Sequence, residues 1–280
     1  TLSVGKQKEP ISMERLTGMV FLPWQERTAA SDGMMPSRNH GVVVNGGALD
    51  GWMTWAAGAF NNWIDSGESF ADTSDQFIGR MTWVPLVSAD ESNLLHLGIG
   101  IRYTNAQQGI QYRTEPEFDQ SPDFVDTGLF EADAALTSNL EVSWRKGPFW
   151  LASEYLRSDV KAPESGDPSF DGYHVSASWA LSGEMRAYNK RSGLFNPLPV
   201  SRSVNQGGWG AWEVAARWST LDLSSGAVDG GEVDILSAGL NWWLTRAAQF
   251  SMNYRYITLD RFDVKGNSSG LNARILLILD

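Results

Sequence analysis

Between Trp209 and Thr258 the chain alternates. Trp212, Val214, Ala216 and Trp218 fall on one side, and Glu213, Ala215, Arg217 and Ser219 on the other. A period of two is a strand, and two more follow directly. Leu236, Ala238, Leu240 and Trp242 stand opposite Ser237, Gly239 and Asn241; Phe250, Met252, Tyr254 and Tyr256 stand opposite Gln249, Ser251, Asn253 and Arg255. In a water-soluble sandwich the apolar side would be aliphatic and would point into a core. Here it carries Trp and Tyr near the strand ends while the other side mixes small residues with arginine, the pattern of strands with lipid outside and water inside.

Composition agrees with that pattern without requiring it. At 280 residues, 42% apolar and 20% charged, the chain suits one or two ordinary domains. No run of eighteen apolar residues occurs, so no transmembrane helix is expected, whereas a β-barrel exposes only alternate residues to lipid. Thirteen Trp and seven Tyr exceed the needs of a soluble core and suit interfacial girdles. Cysteine is absent, which excludes disulfides, thiol nucleophiles and Cys-based metal sites and fits export through an oxidising periplasm. The net charge of −11 argues against nucleic-acid binding. Neither an internal repeat nor a composition shift divides the chain, so residues 1–280 read as one β-barrel domain.

Taken in order, the chain opens with TLSVGKQKEP, which has neither a basic n-region nor an apolar h-region. Residues 1–6 read as the end of a strand, so the first strands of the barrel read as missing. Pro10 and Ser12 precede a short helical stretch with Glu14 in its first turn, and the run from Phe21 to Arg38 reads as irregular. Residues 8–38 therefore form one long connection, and loops of that length are usually functional. Strands are expected at 39–45, 51–60, 76–85, 94–103, 139–145, 149–157 and 172–181, then the three described first, and a last one at 271–279. That makes eleven full strands and the end of a twelfth. Alternating short and long connections put residues 8–38, 61–74, 104–137, 159–171, 222–231 and 259–270 outside the cell, and only 182–208 breaks the rule as a long periplasmic connection.

Strand parity places six arginines on the inward side: Arg80, Arg102, Arg145, Arg217, Arg255 and Arg274. Inward placement alone is unremarkable, because arginine on the lipid face costs about 2–4 kcal/mol at midplane. The sign is informative. Acids outnumber bases by 33 to 22 in the whole chain, yet only Glu141, Glu154 and Glu213 face inward from the strands. A net basic lumen is expected, and guanidinium suits oxyanions because its planar fork donates paired hydrogen bonds and stays charged.

GKQKEPISMERLTG followed by RNHGVVVNG, the pair DGYHVSASWALSGE and GGWGAWEVAARWSTLDL, and the strand GLNWWL resemble the phosphate-selective porin O and P family of bacterial outer membranes. The resemblance runs through nearly the whole chain. It implies a transmembrane antiparallel barrel, sixteen-stranded when complete and usually trimeric, of which this chain would supply about the last eleven to twelve strands. It also implies that 8–38 and 104–137 are the third and fifth extracellular loops, folding into the pore with a periplasmic connection. Matched by position, the constriction candidates are Lys6, Lys8 and Arg15, with Arg113, Glu115 and Glu117 in the fifth loop. Arg186, Lys190 and Arg191 stand in the periplasmic connection.

Two departures bear on selectivity and assembly. The fifth loop carries Glu115, Glu117, Asp119, Asp123, Asp126, Glu131 and Asp133 against Arg113, where a phosphate filter would be basic. The chain ends Ile278-Leu279-Asp280 rather than on an aromatic residue. His96 and His174, on inward parity without ligand spacing, read as solvated lumen residues rather than metal ligands. Asp119, Asp123 and Asp126 offer hard oxygens for calcium, but a solvated loop is the better reading. No catalytic constellation, cofactor site or metal site can be picked out.

The expected function is passive diffusion of small anions, phosphate or another oxyanion, across the bacterial outer membrane by a lipid-embedded homotrimer. The alternatives are a general or weakly cation-selective porin governed by the acidic loop, and a surface-interaction barrel with a plugged lumen.

Overall fold

The alternating segments pair in chain order into one antiparallel sheet of twelve strands. The computed structural model describes residues 1–66, 69 and 73–278. The strands are β1 Leu2–Gln7, β2 Asn39–Ala48, β3 Met53–Asn61, β4 Asp75–Val87, β5 Asn93–Asn105, β6 Ala134–Lys146, β7 Phe149–Lys161, β8 Ser169–Ala180, β9 Ala211–Ser225, β10 Val228–Thr245, β11 Ala248–Arg261 and β12 Val264–Leu277. Among the described residues the two edges, β1 and β12, are not paired with each other. The end of the chain at Leu279 and Asp280, and part of the expected loop at 61–74, lie outside the described residues.

Parity divides the sheet into two unlike faces. Phe77, Met81 and Trp83 on β4, Ile99 and Ile101 on β5, Trp218 on β9 and Tyr254 and Tyr256 on β11 lie exposed on the outer face. Their alternating partners, Arg80, Arg102, Arg217 and Arg255, are buried on the inner face. An exposed apolar face opposite a buried charged one is the arrangement a membrane wall requires.

Three connections expected outside the cell are much shorter than their sequence suggests. The strands run on past the expected boundaries at 222–231 and 259–270, leaving hairpin turns at Gly226–Ala227 and Phe262–Asp263; Phe262 and Asp263 both take positive φ, 54° and 60°. Likewise 159–171 contracts to residues 162–168.

The cause is an inversion of polarity within each strand. Above the Tyr173, Trp218 and Tyr256 level the inner residues become apolar, with Phe170, Leu221, Leu223, Val233, Ile235 and Ile257 all buried. The outer residues become acidic: Asp171 pairs with Asp222, Asp222 with Glu232, and Glu232 with Asp260 in direct cross-strand register. Water has replaced lipid outside, and packed protein has replaced water inside. Ala238 lies exposed on β10 within the lipid band, and Asp234 lies one inversion above it. Ala238→Arg is therefore expected to lower stability in vesicles by about 2–4 kcal/mol and Asp234→Arg by less than about 1. Equal costs in denaturant titration would misplace the boundary.

The interior is filled from both ends. Residues 8–38 carry α1 Met13–Leu16, capped by Ser12, whose hydroxyl accepts from the Arg15 N–H at 3.0 Å. They also carry α2 Ala29–Met34, capped by Thr28, in a stretch that reads as irregular from sequence. Ile11, Ala29 and Met34 of this connection join Tyr112 and Val125 of the next long one in a core against Leu221, Ile235 and Ile257. From the other end, Tyr188 and Phe195 of the 181–210 connection form a second core with Met13, Leu22, Val84, Leu94 and Trp150. His96 and His174 are accordingly buried rather than solvated, because these connections cover them.

Candidate functional site

The inward arginines do not stand free along the wall. Arg80 donates to both oxygens of Glu141 at 2.8 and 2.7 Å and to the carbonyls of Ser192 and Gly193 at 3.1 Å each. His96 completes this group, with its rings of contacts running to Glu141 at 3.1 Å and to the Tyr188 hydroxyl at 2.8 Å. Arg102 is held by Glu9 at 2.5 Å. Arg217 meets Glu117, reaches Glu14 at 3.4 Å and the Glu26 carbonyl at 3.2 Å, and lies 4.7 Å over the Trp24 ring. Glu9 and Glu14 come from residues 8–38 and Glu117 from the fifth-loop segment, so carboxylates from the connections neutralise arginines of the wall.

The remaining wall arginines find neutral oxygens. Arg145 donates to the carbonyls of Arg186, at 2.5 Å, and Glu91. Arg255 donates to the Asn272 side chain, and Arg274 to the Gln25 carbonyl at 3.1 Å. Gln25 is itself pinned to the far side of the sheet, where its backbone N–H donates to Asn253 at 2.9 Å and its side chain to Ser251. The 8–38 connection thus spans the inner face from β1 to β12.

The constriction candidates scatter. Lys6 lies on the outer face, because it shares parity with Leu2 and Val4, and it pairs with Asp65 at 2.7 Å. That removes it from the lumen. Lys8 faces inward with its ammonium on the carbonyls of Arg15, Leu16 and Thr17 at 2.7, 3.0 and 3.0 Å. Burial, with Arg27, Arg15 and Arg38 nearby, lowers its pKa to about 8. Arg15 is spent on Asp32 and on the Met35 and Pro36 carbonyls. Glu117 is buried against Arg217, Ser219 and the Ala29 N–H, Glu115 is half-buried, and Arg113 is exposed, 3.7 Å from Asp123. Asp126 accepts from Gln111 and the Gly128 N–H and stands directly across from Arg113 in a short two-stranded ladder.

In the 181–210 connection, Arg186 is bidentate to Glu213 at 2.7 and 2.9 Å and donates to the Phe21 carbonyl. Lys190 pairs with Glu91 at 2.8 Å and sits 3.7 Å over the Trp52 ring. Arg191 is exposed. Sequence reading missed Glu9, Glu14, Trp24, Gln25, Arg27 and Tyr188 as interior groups. Only Glu9 and Glu14 carried a signal, as acids beside Lys8 and Arg15 in a loop expected to enter the pore. Burial raises the Glu14 carboxyl's affinity for a proton, but His174, Arg217, Arg27 and the Thr28 hydroxyl outweigh it and hold the group below the usual carboxylate range.

One cavity departs from this pairing. It measures about 300 Å³ over the inner side of β1–β4 and is bordered by Lys8, Arg80 and Arg191 with Asn45, Thr54 and Ala56, and no carboxylate lines it.

Comparison with known proteins agrees with the wall geometry. An uncharacterized protein of Caulobacter vibrioides is 25% identical over 266 residues, covering 90% of this chain and 52% of that protein. The chain thus spans about half the length of the relative it matches. The outer-membrane expressed OmpT of Vibrio cholerae shares the fold at a TM-score of 0.50 with 11% identity, over 97% of this chain and 75% of that one. The family model described as phosphate-selective porin O and P matches residues 1–278, so the chain belongs to that porin family, whose place is the bacterial outer membrane.

Proposed function

We propose that this chain forms most of the wall of an outer-membrane porin, closed by further strands to sixteen and assembled as a homotrimer, through which small anions, phosphate or another oxyanion among them, diffuse passively. The observation that carries the anion preference is the set of interior cations answered only by neutral oxygens. Lys8, Arg145, Arg255 and Arg274 rest on carbonyls or an amide, and Arg27 on the Glu14 and Thr17 carbonyls. Such groups form no ion pair, although Glu91 lies near Arg145 and Glu26 near Arg255 and Arg274, and a lumen left net positive favours anions. Fifth-loop control of a cation-selective pore has less support, since Glu117 is neutralised by Arg217.

A second reading, a scaffold with a plugged lumen, draws on the two cores that cover the inner face of β4–β11. Measurable conductance of the assembled protein decides against it.

Lys8 supplies the test of the anion reading. With a pKa of about 8, it is charged below that value and neutral above it. Anion preference of the reconstituted full-length protein is expected to fall between about pH 7 and about pH 9, and Lys8→Arg, which stays charged, is expected to hold it. A preference that ignores both pH and the substitution would remove Lys8 from the pathway.

A further inference from the structure

The 181–210 connection does not stay on one face of the sheet. Leu198 and Val200 pack with Ala180, Ala211 and Trp243, whose parity is inward. Further on, Trp209 meets the opposite face: its carbonyl accepts the indole N–H groups of Trp212 at 3.2 Å and of Trp242 at 2.8 Å. Those two rings are stacked 5.0 Å apart on the outward side of β9 and β10. Between Val200 and Trp209 the chain therefore passes under the rim of the wall, from inside to outside. Short backbone contacts fix the crossing. The Gly210 N–H donates to the Arg202 carbonyl at 3.2 Å and the Gly208 N–H to the Ser203 carbonyl at 3.0 Å, while Val204–Gln206 lies against β10. A Cβ at Gly210, where φ is +69°, would stand 2.2 Å from the Trp243 carbonyl, so only glycine lets the loop approach β10 this closely.

What emerges outside is apolar and basic. Trp209 is 84% exposed, and Val204 and, at the end of β8, Trp179 and Leu181 are exposed as well. An interfacial girdle accounts for Trp212 and Trp242, which stand on strands. It does not account for Trp209, a loop residue that takes up the two indole N–H groups its neighbours would otherwise offer to headgroups. Arg202 spends only its Nε, on the Gln206 carbonyl at 3.3 Å. Arg246, in the turn that follows β10, and the Trp209 indole have no hydrogen bond or ion pair among the described residues. Across 146–148, 181–210 and 245–247 the exposed charged side chains are Lys146, Arg191, Arg202 and Arg246, all basic.

We infer that residues 201–210 with Arg246 form a foot docked on the membrane outside the barrel, where Arg202 and Arg246 bind the phosphate of an anionic phospholipid and the Trp209 ring enters the layer between headgroups and acyl chains. The inference rests on the membrane-barrel part of the porin reading. Charge decides the occupant. An exposed indole alone takes any lipid, but two guanidinium groups free of acid partners select a headgroup with net negative charge, and their planar forks match its phosphate oxygens. A lipid held there would clamp the outer end of a connection whose inner part carries Arg186 and Tyr188 into the interior.

The test uses the full-length protein reconstituted in vesicles of phosphatidylcholine brominated on its acyl chains. Emission from a single indole is read as the difference between wild type and the variant with Phe at that position, Trp209→Phe or Trp218→Phe. Bromine is expected to quench both Trp209 and Trp218, the latter exposed in the lipid band of β9. Unbrominated phosphatidylglycerol is then expected to restore Trp209 emission at a mole fraction lower, by about fivefold for each arginine engaged, than unbrominated phosphatidylcholine requires. In Arg202→Gln/Arg246→Gln the two lipids are expected to act alike. Trp209 unquenched beside a quenched Trp218, equal restoration by both lipids in wild type, or a preference that survives the double substitution would each overturn the inference and leave the barrel standing. An unquenched Trp218 would sink the membrane-barrel reading itself.

Discussion

Replacing Arg217 with alanine is expected to cost about 3–5 kcal/mol of stability and to release both inserted connections together. The guanidinium is fully buried and is the meeting point of three elements. It joins β9 to Glu117 of the fifth-loop segment and to Glu14, the Glu26 carbonyl and the Trp24 ring of residues 8–38. Without it two buried carboxylates lose their cation. Glu117 keeps only Ser219 and the Ala29 N–H, and Glu14 keeps Thr28. Arg217→Lys restores the charge but not the fork, so an intermediate loss is expected. Denaturant unfolding measures the cost, and limited trypsin cleavage at Arg113 reads the release. An alanine variant as stable and as protease-resistant as wild type would mean that the hub does not hold the loops.

The second large effect is expected at Arg80. Arg80→Met leaves the Glu141 carboxylate, which is fully buried, with His96 alone, and removes two hydrogen bonds to the Ser192 and Gly193 carbonyls that dock the 181–210 connection. A loss of about 3–5 kcal/mol is expected, and most of it should return in the double variant Arg80→Met/Glu141→Leu, where no buried charge is stranded. A double-mutant cycle measures this. Additive losses would show that Arg80 acts through the 181–210 connection and not through its ion pair.

What the sequence makes legible follows from how each feature is encoded. Strand parity is local, and lipid punishes every violation, so the alternation through Trp218 and Tyr256 places Arg217 and Arg255 inward without any tertiary information. The same logic fails above the membrane. There Leu221, Leu223 and Ile235 turn inward and Asp222 and Glu232 outward, so a reader following apolar-out alternation loses the strand where the solvent changes. The partners of the arginines were out of reach for a different reason. Glu9 lies 93 residues from Arg102, Glu117 lies 100 from Arg217, and Glu14 lies 203 from it, and no periodicity links such pairs. In-strand acids alone therefore understate the negative charge that meets the wall arginines. Lys6 adjoins the same loop as Lys8, but its parity with Leu2 and Val4 sends it outward.

The consequence for function is a division of labour among the basic residues. Arg80, Arg102, Arg186 and Arg217 bind carboxylates and give the interior its shape, and on the proposed function the selection of anions falls to the few cations that form no ion pair. An acidic chain is compatible with that proposal, because much of its acid stands on the outer side of β8–β11 and along residues 104–137.

The most direct test is the reversal potential of the reconstituted full-length protein across a potassium chloride gradient. Unanswered interior cations predict a sign that reports chloride as the favoured ion, with added phosphate reducing the current. A potential of the opposite sign, with potassium favoured and phosphate without effect, would contradict the account and return control of the pore to the acidic fifth loop.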